Sequence, residues 1–180
     1  ASRIVFGRGT LRTAAEEARS HGDRIFIVTG KTDDRAHPLI DRLGGTPIAT
    51  FNVTGEPTTG SVLDAVAASR AFDAEVVVGI GGGSVLDTGK VVAALMTNDG
   101  DLMDYLEVIG GARPLERRPA PYIALPTTAG TGAEVTRNAV IDSPEHKVKV
   151  SMRSPLMLPR LAVVDPELTR DLPPGATAAT

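Results

Sequence analysis

The residues best suited to chemistry are three glycines and a serine in a row, Gly81-Gly82-Gly83-Ser84. The apolar stretch from Glu75 to Ile80 leads into them, and an amphipathic stretch leads out. Glycine lets backbone come close to a phosphate, and free N–H groups at a helix start point at the anion. The helix dipole adds roughly 0.3–1 kcal/mol. Ser84 is placed to cap that helix or to give its hydroxyl to a phosphate oxygen. Two phosphate motifs can be compared with the run. A P-loop has four residues between its first glycine and a Gly-Lys pair, then Ser or Thr. Here five residues separate Gly83 from Gly89-Lys90 and Val91 follows, so that motif fails. The dinucleotide fingerprint G-x-G-x-x-G is met from Gly79 onward except that Ser84 holds its last position. The alternative is a tight strand–helix turn that binds nothing. Asp87 and Lys90 follow on the first turns of the helix. They read equally as a buried brace, as a solvated i, i+3 pair, or with Asp87 facing a ligand.

A second polar constellation is Pro126-Thr127-Thr128-Ala129-Gly130-Thr131-Gly132-Ala133-Glu134. Proline ends the preceding apolar run, and threonine hydroxyls and glycines then crowd one loop. Such a loop at the carboxyl end of a strand is where ligands sit in open α/β sheets. Its hydroxyls suit a ribose, a diphosphate or an amide, unless they are simply solvated in a turn. Lys147 and Lys149 alternate with Val148 and Val150, so both share one strand face, either towards a cofactor phosphate or towards solvent. His146 reads as a turn residue, and the sequence has no His, Asp and Glu cluster at metal-ligand spacing.

The elements that must position these loops alternate along the chain. Buried strands are expected at Arg24 to Val28, Thr46 to Phe51, Glu75 to Ile80, Tyr122 to Leu125 and Leu161 to Val164. Helices are expected from a Thr10 cap to about Ser20, from Ala36 to Leu43, from Thr59 to Phe72 and from Ser84 to Met96. In the third helix Val62, Leu63, Val66 and Ala67 form the expected inner face. Strand–helix–strand repetition implies a mostly parallel sheet with helices on both faces, an α/β, Rossmann-like fold. Beyond Leu125 loops dominate, and Asn138 to Asp142 with Lys147 to Met152 predicts a β-hairpin. Residues 1–172 then form the α/β domain, and residues 173–180 a linker or the start of a further domain.

At 180 residues with a net charge of −3, the chain suits one domain with both signs of charge interspersed. No basic stripe points to nucleic acid, and no apolar run approaches the roughly 20 residues of a membrane span. The sequence contains no cysteine, which excludes disulfides and thiolate metal sites and fits a reducing cytoplasm.

Three segments together resemble one family. Gly81-Gly82-Gly83-Ser84-Val85-Leu86-Asp87-Thr88-Gly89-Lys90 is similar to the GGGS-x-x-D-x-x-K motif of the iron-containing (group III) alcohol dehydrogenases. Pro126 to Glu134 resembles that family's PTT-x-GTG-x-E loop. Val164-Asp165-Pro166-Glu167-Leu168, followed by Leu172-Pro173, resembles its V-D-P-x-L…LP stretch. The resemblance implies an α/β domain that holds NAD or NADP and an all-helical domain that holds a divalent metal, iron or zinc. The metal would polarise an alcohol or aldehyde oxygen while hydride passes to or from the nicotinamide. By motif match, Gly81, Gly82, Gly83, Ser84 and Asp87 would form the pyrophosphate cradle. Thr127, Thr128 and Thr131 would meet the ribose and nicotinamide, and Lys149 and Leu168 would also touch the cofactor.

Two departures from the pattern shape the expectation. The family's metal ligands begin just after the segment at which this chain ends. The catalytic metal and the helical domain are therefore expected only in a full-length enzyme, and this chain alone is expected to be inactive. Members that prefer NAD carry Asp at the end of the second strand, where Gly30 stands here; its absence removes the repulsion of a 2′-phosphate, which Asp33 or Asp34 would partly restore. The expected partners are a small alcohol, aldehyde or ketone and a second copy of the chain, with no nucleic acid or membrane. The alternatives are a non-catalytic nucleotide-binding module and a glycerol-dehydrogenase-like or sugar-phosphate-cyclase member of the wider superfamily.

Overall fold

A computed structural model describes residues 1–170, Leu172, Pro173 and Gly175. Apart from Pro173 and Gly175, the 173–180 linker expected from the sequence lies outside these residues. Among the described residues the strands and α-helices up to Val164 follow in the order β1 (Arg3–Phe6), α1 (Leu11–His21), β2 (Ile25–Thr29), α2 (His37–Leu43), β3 (Ile48–Asn52), α3 (Thr59–Ala71), β4 (Val76–Gly81), α4 (Gly83–Thr97), α5 (Leu102–Tyr105), β5 (Tyr122–Pro126), β6 (Asn138–Ser143), β7 (Val148–Arg153) and β8 (Leu161–Val164). Six of these strands make one parallel sheet in the order β1-β8-β5-β4-β2-β3, and β6 pairs antiparallel with β7 as the expected hairpin.

Every residue of β2, β4 and β5 is buried, as a sheet covered on both faces requires. Side chains alternate across the sheet. Ile25, Ile27, Val76, Val78 and Ile80 pack with α1 and α2 on one face, while Phe26, Val28, Val77 and Tyr122 pack with α3 and α4 on the other. Ala139, Ile141, Val150 and Met152 of the hairpin join that second layer, which sets β6 and β7 against α4. Among the described residues no helix is long and apolar enough to cross a membrane.

Several local expectations are corrected. The first residues form an edge strand, β1, paired only with β8 and largely exposed, with Phe6 at 74%. The third strand starts at Ile48 rather than Thr46, because Pro47 has no N–H to give the ladder. Thr10 does not cap α1. Its backbone is already helical and its hydroxyl donates to the Gly7 carbonyl at 2.8 Å, while Asp165 accepts from the Leu11 N–H at 3.3 Å. In α3 the inner face is Val62, Ala65, Val66 and Ser69, leaving Leu63 and Ala67 exposed. Val62 and Val66 are thus on the inner face as expected, while Ala65 and Ser69 take the places expected for Leu63 and Ala67.

Candidate cofactor-binding site

The glycine run forms the junction of β4 and α4. Gly82 lies just before the helix with extended backbone (φ −78°, ψ −172°), and no side chain caps the helix start. None of the glycines from Gly79 to Gly89 has positive φ, so close packing rather than left-handed backbone accounts for them. A Cβ on Gly81 would lie 2.5 Å from the Val85 side chain. Tyr122 is wedged between Gly79 and Gly89, where added Cβ atoms would sit 2.4 Å and 2.7 Å from its ring or hydroxyl. The Tyr122 hydroxyl donates to the Leu86 carbonyl at 3.0 Å, and complete burial pushes its pKa well up. Gly79, Gly81 and Gly89 therefore hold the strand close to the helix. Gly82 and Gly83 instead face the threonine loop: their Cβ atoms would sit 3.5 Å from Thr128 and 3.1 Å from Thr131.

The threonine loop leaves β5, the strand beside β4, at the same edge of the sheet. The Thr127 N–H donates to the Gly81 carbonyl at 2.9 Å, which extends the β4–β5 ladder into the loop. Thr127 is buried, and its hydroxyl accepts from Arg35 Nη1 at 3.0 Å. The Thr128 hydroxyl is shielded from solvent and has no hydrogen-bond partner among the described residues, an expensive state for a polar atom. Thr131 is exposed, and Gly132 turns through left-handed backbone (φ 63°) into the short helical turn Ala133–Val135.

A cleft of about 640 Å³ opens at the carboxyl ends of four neighbouring strands, lined by Gly30 after β2, Gly81 at the end of β4 and Gly82 after it, Thr127 after β5 and Leu168 after β8. Lys31, Asp34 and Arg35 line the same cleft from the loop before α2. Gly30 has open space where a side chain would be, and its carbonyl accepts from Asn52 at 3.1 Å. Asp33 is engaged by Asn52 at 2.8 Å, whereas Asp34 accepts from Thr32 at 2.8 Å.

Ser84, Asp87 and Lys149 border a second, smaller hollow of about 100 Å³ with Glu56. Lys149 pairs with Glu56 at 2.6 Å, and that carboxylate raises its pKa. Lys147 lies in the exposed hairpin turn, away from this hollow. Asp87 has both oxygens engaged, one by Lys90 at 2.9 Å and one by the Val140 N–H at 2.9 Å. Lys90 is buried and also donates to Thr136 at 2.9 Å and to the Asn138 carbonyl at 2.7 Å. Burial lowers its pKa, partly offset by Asp87 and Glu134. Of the three readings of this pair, the geometry is that of the buried brace, joining α4 to the hairpin.

The sequence thus brings Gly30, Gly81, Gly82, Thr127 and Leu168 to one cleft and Ser84, Asp87 and Lys149 to its neighbour. It misses Arg35, because nothing in its spacing marks it; only the fold carries it across β4 to Thr127. It also gives no role to Asp165, which the V-D-P segment supplies as a tie between the start of α1 and the turn after β8. Among the described residues no group of three or more His, Cys, Asp and Glu could hold a metal ion.

Known proteins share this sequence and this fold. The family model for iron-containing alcohol dehydrogenases matches residues 1–166. A 4-hydroxybutyrate dehydrogenase of Cupriavidus necator is 42% identical over 81% of this chain, and a choline dehydrogenase of Bacillus subtilis is 35% identical over 98% of it. Among solved structures, an alcohol dehydrogenase from Oenococcus oeni superposes with a TM-score of 0.90 at 32% identity over 99% of this chain. A sulfoacetaldehyde reductase from Bifidobacterium kashiwanohense, in complex with NAD+, gives 0.86 at 34% identity over 98%. The chain spans 38% and 46% of the first two relatives and 48% of each of these two structures, about half of their length or less. With the family model matched over nearly its whole length, this chain belongs to the iron-containing alcohol dehydrogenase family.

Proposed function

We propose that this chain binds NAD or NADP for an enzyme that interconverts small alcohols with aldehydes or ketones. The observation that carries the reading is the uncapped start of α4, set in glycine backbone and opening on a cleft at the carboxyl edge of a parallel sheet. That edge is where open α/β sheets take nucleotides, and a helix start without a side-chain cap leaves its N–H groups for a phosphate. The unpartnered Thr128 hydroxyl beside Gly82 supports the same reading, as does the relative solved with NAD+. Nicotinamide chemistry supplies the hydride transfer; the chain's part is to bind and orient. Gly82, Gly83 and Ser84 receive the diphosphate, Thr128 and Thr131 the ribose and nicotinamide side, and Gly30 and Leu168 the adenosine end. Asp87 acts through Lys90 and Val140 by fixing the helix that carries the cradle, and Lys149 reaches the cofactor from the hairpin once released from Glu56.

A divalent metal, in this reading, is held by other parts of a longer protein, and no step of the chemistry is assigned to the residues described here. A cytoplasmic setting agrees with the lack of cysteine. Calorimetric titration of the chain with NADH tests the proposal. Binding is expected in the unaltered chain and is lost in Gly83→Val, whose branched side chain would strike Thr131. Unchanged affinity in a Gly83→Val variant that keeps the parent's melting temperature would sink the cradle assignment.

A further inference from the structure

We infer that Arg35 is a phosphate-binding arm, which reaches the dinucleotide's diphosphate beside the glycine turn. The inference rests on the cofactor reading above and deepens it. Arg35 stands in the loop between β2 and α2, yet its guanidinium reaches over β4 to the hydroxyl of Thr127 at 3.0 Å. Thr127 is itself bonded through its N–H to the Gly81 carbonyl, so the guanidinium lies beside the glycine turn. Both residues line the large cleft. A neutral hydroxyl is a weak partner for a guanidinium, and among the described residues no carboxylate pairs with Arg35. Of the two acids that line the cleft, Asp34 and Glu167, neither pairs with Arg35, and Asp34 accepts from Thr32 instead. A planar group with several N–H donors, half-buried, paired with no acid among the described residues and lining the same cleft as the glycine turn before an uncapped helix, suits an anion with several oxygen atoms. A diphosphate has that form, and an isolated nucleoside does not. The arm would exchange its Thr127 contact for phosphate oxygens while the helix N–H groups hold the other side.

The test is calorimetry on the whole chain at low salt with NADH, ADP and adenosine, for the unaltered protein and for Arg35→Gln, Arg35→Ala and Arg35→Lys. Arg35→Gln keeps a donor for Thr127 and removes the charge. It and Arg35→Ala are expected to raise the Kd for ADP and NADH by about 10- to 100-fold, the range of hydrogen bonds to charged groups. Arg35→Lys is expected to fall in between, since an ammonium supplies the charge without the fork. Adenosine, which has no phosphate, should bind all four proteins alike. If ADP binds Arg35→Gln as tightly as the parent, or if adenosine weakens in the same proportion as ADP, the arm assignment is overturned while NADH binding by the parent leaves the cofactor reading standing. If the parent binds neither NADH nor ADP, the cofactor reading fails and the inference falls with it.

Discussion

Lys90 and Asp87 form an ion pair of 2.9 Å on the first turns of α4, with the lysine side chain entirely shielded from solvent. Three acceptors surround the ammonium group: a carboxylate, a hydroxyl and a backbone carbonyl. The pair is therefore satisfied, and it joins the cradle helix to the hairpin that bears Lys149.

Removing Lys90 takes the counter-charge from Asp87, which keeps only the Val140 N–H and is 14% exposed, so the loss is at most the roughly 3–5 kcal/mol of a broken buried pair. Lys90→Ala is expected to lose up to that much stability in urea unfolding. Lys90→Arg should not restore it, because a guanidinium is larger than the fully enclosed site. A Lys90→Ala midpoint equal to the parent's would show that the brace does not hold the two layers together.

Thr128 separates binding from folding. Its hydroxyl has no partner among the described residues, so Thr128→Val removes an unsatisfied buried polar atom and should leave stability unchanged or raise it by about 1 kcal/mol. If the hydroxyl serves the cofactor, the same change weakens NADH binding by about 3- to 10-fold, the worth of one neutral hydrogen bond. Equal NADH affinity in the two proteins would remove Thr128 from the site.

The layered sheet was legible because β2, β4 and β5 are apolar on both faces, a pattern few other arrangements tolerate. The two ligand loops were legible because glycine and threonine cluster where apolar runs stop. Edge strand β1 was not, since Ile4 and Phe6 are exposed and give no alternation with a buried side. The reason for the glycines was also hidden. Gly79 and Gly89 are fixed by the ring of Tyr122, far away in the chain, and such a contact leaves no local signal. The Arg35–Thr127 bond was hidden for the same reason.

Glu75 predicts how the fold meets acid. Its carboxylate accepts from the Asp23 N–H at 2.6 Å and the Arg24 N–H at 3.1 Å, and those two bonds, with the Arg24 guanidinium, hold its pKa below the ordinary value. A carboxyl whose folded pKa is depressed contributes stability above its unfolded pKa and loses it as pH falls through the folded value. Stability is thus expected to decline from about pH 4.5 downward, near the free glutamate value. Glu75→Gln, followed by thermal unfolding from pH 7 to pH 3, should show a lower plateau and a shallower acid limb. An acid limb identical to the parent's would assign that sensitivity to other carboxylates.

Gly30 tests cofactor choice. It lines the cleft at the end of β2 with empty space where a side chain would stand, so an aspartate there meets no obstruction. In dinucleotide sites an acid at that strand end bonds the ribose hydroxyl and repels a 2′-phosphate. The nearest native acids are engaged elsewhere, Asp33 by Asn52 and Asp34 by Thr32. The unaltered chain is therefore expected to bind NADH and NADPH with comparable affinity. Gly30→Asp should lower NADPH affinity at least about 10-fold relative to NADH, since placing like charges together costs more than 1 kcal/mol in a cleft. Titration of both cofactors against both proteins decides it. A strong NADH preference in the unaltered chain, or no change in the ratio for Gly30→Asp, would move the adenosine ribose away from the end of β2.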